Sequence, residues 1–236
     1  MVVNPAAQVQ KWPVAVAKRL SHANGPHIEG LSGDRVVEWS WVATRIPPGP
    51  GEALDFGPGD KSYLSLILAR KGFNVLALDR QPANWPFSHP SIHLLLGDIL
   101  EMQPPRQRFD VVVNCSTVEH VGLKGRFGTA SDTPDGDLIA MRRLGSWMKP
   151  NGLMILTIPV GRDAVFPPLH RVYGKSRLPL LLAGYETEES EFWVKSDGTW
   201  ALAPEREALA FAPSVAHPKH HHVSMYALGC FALRRG

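Results

Sequence analysis

Glu52-Ala-Leu-Asp-Phe-Gly-Pro-Gly-Asp-Lys-Ser62, followed by Asn74-Val-Leu-Ala-Leu-Asp79, is the stretch on which the fold of this chain turns. An apolar run, a glycine turn, a helical pattern and a second apolar run ending on an acid succeed one another. That order builds a ligand pocket at the carboxyl end of a parallel sheet. Gly57 and Gly59 permit a tight turn and let the backbone approach a ligand with no side chain between. Asp60 stands where a dinucleotide fingerprint has its third glycine, so that fingerprint is not met. Asp55, an acid within the first run, favours a cationic ligand over a pyrophosphate.

Outward from this stretch the rhythm continues. Ala53–Phe56 reads as strand one, Lys61–Lys71 as a helix closed by Gly72, and Val75–Leu78 as strand two. Ile92–Leu96, Phe109–Cys115 and Leu153–Ile158 follow as further strands, with a helix over Asp137–Met148 closed by Lys149-Pro-Asn-Gly152. Strands separated by helices of this length argue for a parallel doubly wound sheet. Tyr185–Lys195 and Val223–Arg234 are late strand candidates, with Asp197-Gly198 as a hairpin turn and no full crossover helix between them. The predicted fold is therefore α/β: a doubly wound, mostly parallel seven-stranded sheet with an antiparallel last strand. Residues 1–46 form a helical cap, with patterns over Ala7–Leu20 and Asp34–Ile46, and Pro47-Pro-Gly-Pro-Gly51 ends it. Residues 51–160 are the ligand-binding core of a single domain spanning 1–236.

Composition narrows the function classes. The chain has 236 residues, 44% apolar and 20% charged, which suits one ordinary globular domain. Its net charge is +3 with the basic residues scattered, so no phosphate footprint points to nucleic acid. Two cysteines, Cys115 and Cys230, cannot build a disulfide framework and fit buried thiols of a cytoplasmic protein. No run approaches the length of a membrane span, so neither membrane nor nucleic acid is an expected partner.

The strand tips carry the expected site. Asp79 ends strand two with Arg80 beside it, where a carboxylate accepts both hydroxyls of a ribose. Its structural alternative is to cap the turn into Arg80-Gln-Pro82. Asp98 follows strand three and can accept from an exocyclic amine while Ile99 packs on a ring. Asn114-Cys-Ser116 leaves a small polar tip on strand four, so Asn114 and Ser116 join the expected ligand contacts. A ligand with a ribose, an adenine and a cationic centre satisfies this set, and S-adenosylmethionine is the expected cofactor.

Together, Leu54-Asp-Phe-Gly-Pro-Gly59, Leu78-Asp79, Gly97-Asp98 and Phe109-Asp-Val-Val-Val-Asn-Cys-Ser-Thr-Val-Glu-His120 resemble the class I S-adenosylmethionine-dependent methyltransferases, whose sheet is Rossmann-like. A narrower likeness lies in Ser116-Thr-Val-Glu-His-Val-Gly-Leu123, Gly125-Arg-Phe-Gly128, Pro134-Asp-Gly-Asp137, Ile158-Pro-Val-Gly161 and His170-Arg-Val-Tyr-Gly174. These resemble methyltransferase-like proteins of the DUF268 type, some of them tied to surface polysaccharide or sugar modification. The resemblance implies methyl transfer to a small molecule.

Methyl transfer is an in-line displacement, and a hydroxyl acceptor benefits from a base. His120, just past strand four, is the expected base, with loop anchoring as its structural alternative. Glu119 beside it can orient the imidazole, bind substrate or ligate a divalent ion. Asp132, Asp135 and Asp137 read as a turn and a helix cap, and no metal is expected. His170, Arg171 and Tyr173 follow strand five and overhang the acceptor side, where Arg171 can clamp a carboxylate or phosphate or instead form a structural ion pair. Arg126 and Trp41 complete the expected acceptor contacts; Trp39 and Trp41 cannot share one helix face, so one of them packs in the core. His217-Pro-Lys-His-His-His222 reads as a solvated loop. The expected reaction is methylation of a hydroxyl on a sugar or related metabolite. An amine acceptor, a nicotinamide-dependent oxidoreductase and a silent binding protein are its rivals.

Overall fold

The structure is a computed structural model, and it describes residues 34–60, 63–105, 108–125, 127–196, 199–215 and 224–236. The helix expected over Ala7–Leu20, the turn Asp197-Gly198, the histidine tract at 217–222 and Arg126 lie outside the described residues.

The apolar run of the glycine-turn motif is strand β1 (Gly51–Phe56), and β2 (Phe73–Asp79) lies parallel to it across helix α2 (Tyr63–Arg70). Strands β3 (Ile92–Leu96), β4 (Phe109–Cys115) and β5 (Met148–Val160) extend the parallel part. Next to β5 runs β12 (Ala227–Arg235), antiparallel, and beyond it β8 (Tyr185–Ser196) and β9 (Thr199–Leu202). The order is β3-β2-β1-β4-β5-β12-β8-β9. β1 and β4 are neighbours although the chain passes through β2 and β3 between them. This reversal of winding opens a crevice at the carboxyl tips of β1 and β4.

Alternation along each strand feeds two cores. Ala53, Val111, Val113 and Ile155 face one side, where Val37, Trp41 and Val42 of α1 (Arg35–Arg45) and Leu64 and Leu68 of α2 cover them. Leu54, Val112, Met154 and Leu156 face the other, beneath Met141, Leu144 and Trp147 of α3 (Gly136–Trp147). Helices α4 (Arg177–Leu181) and α5 (Glu205–Ala210) add Leu178, Leu181, Ala208 and Leu209 to that second side. Burial on both faces is why β1, β4 and β5 read as largely apolar runs, whereas β3 at the edge is half exposed.

Among the described residues the sheet has eight strands where seven are expected. Thr199–Leu202 pairs with β8 as an edge strand, and so short a run with only one covered face carries little periodicity. Residues 34–46 differ from an overhanging cap: α1 lies flat on the sheet and completes its core. Asp34 occupies its N-cap position without a side-chain cap, and its carboxylate instead accepts from the Tyr226 hydroxyl. Asp137 is likewise no cap. It is buried in the first turn of α3 and receives Arg177, whose Nε and Nη2 lie 2.9 and 2.6 Å from its two oxygens.

Short pieces complete the chain. Val118–His120 is a single 3-10 turn after β4, and β6 (Ala164–Phe166) pairs with β7 (His170–Val172) as a small hairpin. β10 (Ser214–Val215) and β11 (Ser224–Met225) form a second.

Candidate active site

A cavity of about 560 Å³ opens at the tips of β1 to β4, within the usual size of a small-molecule site. The turn after β1 shapes one wall. Gly57 and Gly59 have φ of 70° and 67°, a region that glycine enters without cost. Gly57 also has Thr117 pressed against it: a Cβ there would stand 2.1 Å from the threonine methyl carbon. At Gly59 a Cβ would meet nothing within 4 Å, so only the backbone conformation calls for glycine.

Asp79 ends β2 in the cavity wall, its Oδ2 accepting the Gly59 N–H at 3.0 Å and its Oδ1 that of Gln81 at 2.9 Å. The predicted turn-capping and the wall position are both realised at this one residue. Asp98 follows β3, accepts the Leu100 N–H at 2.8 Å and lies 3.4 Å from Arg80 Nε. Arg80 in turn donates to Thr129 Oγ1 at 2.5 Å and so ties β2 to the loop after the 3-10 turn. Leu78 and Ile99 add the apolar part of that wall.

Asp55 touches the cavity but is only 2% exposed, and its Oδ2 accepts from Ser65 of α2 at 2.5 Å. Its carboxylate therefore serves the β1–α2 junction as much as any ligand. Ser116 lines the cavity in a left-handed conformation, φ 48°, that is strained for a residue with a Cβ. Its hydroxyl donates to Glu38. Asn114 does not line the cavity: it is fully buried, its Oδ1 accepting the Val118 N–H at 3.3 Å to pin the 3-10 turn.

His120 projects from that turn into the cavity wall, 15% exposed at its side chain. The ring nitrogen Nδ1 stands 2.6 Å from the Leu169 carbonyl oxygen. A carbonyl only accepts, so Nδ1 carries the proton and Nε2 is left with the basic lone pair. Glu119 Oε1 lies 3.6 Å from Nε2. The Glu119 side chain is buried, and burial first, with Glu38 nearby, pushes its carboxyl up to about 8. It is thus a neutral acid around pH 7.

The acceptor contacts expected from sequence divide. Trp41 is 4% exposed in the core under a guanidinium, Arg45 Cζ lying 4.0 Å from its ring centre, and Trp39 lines the cavity instead. His170, Arg171 and Tyr173 are buried behind the wall rather than overhanging it. The His170 ring packs edge-on to Tyr226, and Arg171 pairs with Asp137 at 3.7 Å. An ion pair with a neighbouring element used the guanidinium that a substrate anion would need.

Arg35 is the wall residue that sequence reasoning missed. With Trp39 it forms an i,i+4 pair on the cavity side of α1, and its Nη1 donates to Glu38 Oε2 at 3.0 Å. Burial opposes its charge, but Glu38 and Cys115 outweigh that and raise its pKa. Burial likewise raises the Glu38 carboxyl, which accepts from Thr157 Oγ1 at 2.8 Å as well as from Ser116. The available signal was Glu38 itself, a charge within the apolar stripe of Val37, Trp41 and Val42.

Comparisons with known proteins agree with this geometry. The sequence model of the family described as Caenorhabditis protein of unknown function, DUF268, matches residues 97–206. The ubiquinone biosynthesis O-methyltransferase of Azorhizobium caulinodans is 31% identical over 145 residues, 58% of this chain and 52% of the relative. The chain thus spans about half the length of that curated relative. Among solved structures, the N-methyltransferase NodS of Bradyrhizobium japonicum in complex with S-adenosylhomocysteine has a TM-score of 0.55 at 12% identity, covering 94% of this chain and 97% of its own. The 1,6-didemethyltoxoflavin-N1-methyltransferase of Burkholderia thailandensis has a TM-score of 0.52 at 16% identity, covering 99% and 93%. This is a class I methyltransferase fold. Open parallel sheets bind ligands outside the carboxyl ends of their strands, and the cavity that His120 and Arg35 line lies at that edge. No helix among the described residues is long and apolar enough to cross a membrane.

Proposed function

We propose that this chain transfers a methyl group from S-adenosylmethionine to a hydroxyl of a small molecule, a sugar or a related metabolite. The observation that carries the reading is the cavity itself: carboxylates from two strand tips on one side, and a histidine of assigned tautomer on the other. The donor set fits the cofactor. Asp79 would hold the ribose, Leu78, Ile99 and Asp98 the adenine, and Arg35 the amino-acid carboxylate. Bound there, S-adenosylmethionine supplies an electrophilic methyl on a sulfonium.

The protein's own contribution is placement and a proton acceptor. Wall residues hold the acceptor in line, which lowers the entropy cost of the displacement. His120 Nε2 takes the hydroxyl proton as the acceptor oxygen attacks, and the Leu169 carbonyl keeps the ring in the tautomer that allows it. Glu119 Oε1, 3.6 Å from Nε2, is a carboxyl oxygen whose dipole steadies the imidazolium that forms there. Trp39, Tyr63 and Phe127 supply aromatic surfaces at the cavity, which supports a ring-shaped acceptor such as a sugar.

Titration calorimetry with S-adenosylmethionine, S-adenosylhomocysteine and NADH tests the cofactor. Micromolar binding of both sulfur ligands without NADH is expected; NADH alone would sink the reading. His120→Ala separates hydroxyl from amine acceptors. Loss of base catalysis lowers kcat by about 10²- to 10⁴-fold, whereas an amine acceptor, neutral before attack, leaves kcat close to the parent's.

A further inference from the structure

In the β6–β7 hairpin β7 is the buried strand, and one of its side chains reaches to the chain segment that bears His120. Arg171 is 2% exposed at its side chain, too buried to meet a substrate. Its Nη1 donates to the carbonyl of Glu119 at 3.3 Å and of Val121 at 2.7 Å, the two residues that flank His120. Its Nη2 donates to the carbonyls of Thr133 at 3.2 Å and Pro134 at 3.3 Å, where the loop returns into α3. Asp137, itself held by Arg177, stands 3.7 Å from Nε and balances the buried charge. Two residues before Arg171, the Leu169 carbonyl takes the His120 Nδ1 proton. The same few residues of chain therefore hold the His120 backbone on both sides and its ring from behind.

Two other observations agree with a built support. Gly122 and Gly136 pack so closely that a Cβ on Gly136 would stand 2.8 Å from the Val121 carbonyl oxygen. The Thr133 N–H donates to the Gly122 carbonyl at 2.8 Å, so the segments bridged by the guanidinium also bond to each other. A planar guanidinium with its donors in a fixed fork suits four carbonyls at once, and a lysine ammonium does not.

We infer that Arg171 is a positioning residue for the transfer step, fixing the tautomer and aim of His120 by clamping Glu119, Val121 and the 133–134 turn while the Leu169 carbonyl accepts the hydrogen bond of the ring Nδ1–H. The inference rests on His120 being the proton acceptor proposed above. It also replaces the anion clamp expected of Arg171 from sequence.

Ring-nitrogen NMR of ¹⁵N-histidine-labelled protein reads the tautomer directly, without an acceptor substrate. In the parent protein neutral His120 is expected as the Nδ1–H form. In Arg171→Lys the Nε2–H form gains population, S-adenosylhomocysteine binds with unchanged affinity, and kcat with a working acceptor falls on the order of 10²-fold with KM little altered. A folded Arg171→Lys whose His120 ring signals match the parent's would overturn the inference, because a purely structural arginine leaves the tautomer alone. So would an Nε2–H form in the parent, a result that stands even where the variant does not fold. The ring spectra test the clamp whether or not the cofactor binds, and failure of the methyl-transfer reading shows separately as calorimetric silence toward S-adenosylhomocysteine.

Discussion

Gly57 and Gly59 look interchangeable in the string Gly-Pro-Gly, yet their surroundings differ. Alanine at Gly59 meets open space and bears only the left-handed backbone, about 1 kcal/mol. Alanine at Gly57 bears the same backbone cost and collides with Thr117, about 1–3 kcal/mol more. Thermal melts should therefore rank Gly57→Ala well below Gly59→Ala, and equal melts would remove Thr117 as the reason. Glu119 makes a pH prediction of definite sign. Its carboxyl sits at about 8 in the fold against an ordinary 4.5, so the folded state holds its proton more tightly. That contribution is complete below pH 4.5 and is lost as pH climbs through 8. Glu119→Gln should gain on the parent in Tm between pH 6 and pH 9; a gap that does not widen with pH would contradict the shift. Asp79 and His120 were readable as site candidates because acids and imidazoles after apolar runs are uncommon in loops built only for connection. Between an anion clamp and a structural ion pair the sequence could not choose for Arg171, for a physical reason: its partner Asp137 lies 34 residues away, and nothing local distinguishes a buried guanidinium from one facing substrate.

At the scale of elements, α1 shows how a helix can be recognised and its role mistaken. The amphipathic pattern over Asp34–Ile46 is visible, but which tryptophan faces the sheet depends on the helix's rotation about its axis. Trp41 packs with Val42 on the sheet, and Arg35 and Trp39 turn to the cavity. Truncating a buried tryptophan costs about 3–5 kcal/mol, so Trp41→Ala should lower Tm strongly. Trp39→Ala should leave Tm nearly unchanged and weaken acceptor or cofactor binding instead. Melting that is indifferent to Trp41→Ala would contradict the packing. The expected strands are present with changed bounds: β1 starts at Gly51, β2 at Phe73 and β5 at Met148, the last one divides into β11 and β12, and β6, β7, β9 and β10 are additions. Edge strands are the hardest to read, since one open face and a short run leave little alternation.

The whole molecule places the cavity where the winding of the sheet reverses, so its walls come from four strand tips and from α1. A ligand that bridges these elements stabilises the fold by mass action. S-adenosylhomocysteine at a hundred times its Kd should add about 2.7 kcal/mol, seen as a rise in Tm that NADH does not produce. No rise at saturating ligand would mean that the strand tips do not hold it together.

The sequence by itself determined the layered α/β class, the parallel order of the first five strands, the antiparallel finish and the acids and histidine at the strand tips. Those features are local, set by apolar periodicity, glycine turns and chain order. Only the tertiary structure decided that α1 is part of the core, that Arg35 faces the cavity while Trp41 does not, and that Arg171 is buried against the carbonyls of Glu119 and Val121. Each of these depends on contacts between residues far apart in the chain, Glu38 with Thr157 and Arg171 with Glu119 among them. A buried charge takes its role from the partners that compensate it, and those partners are brought together by packing rather than by spacing.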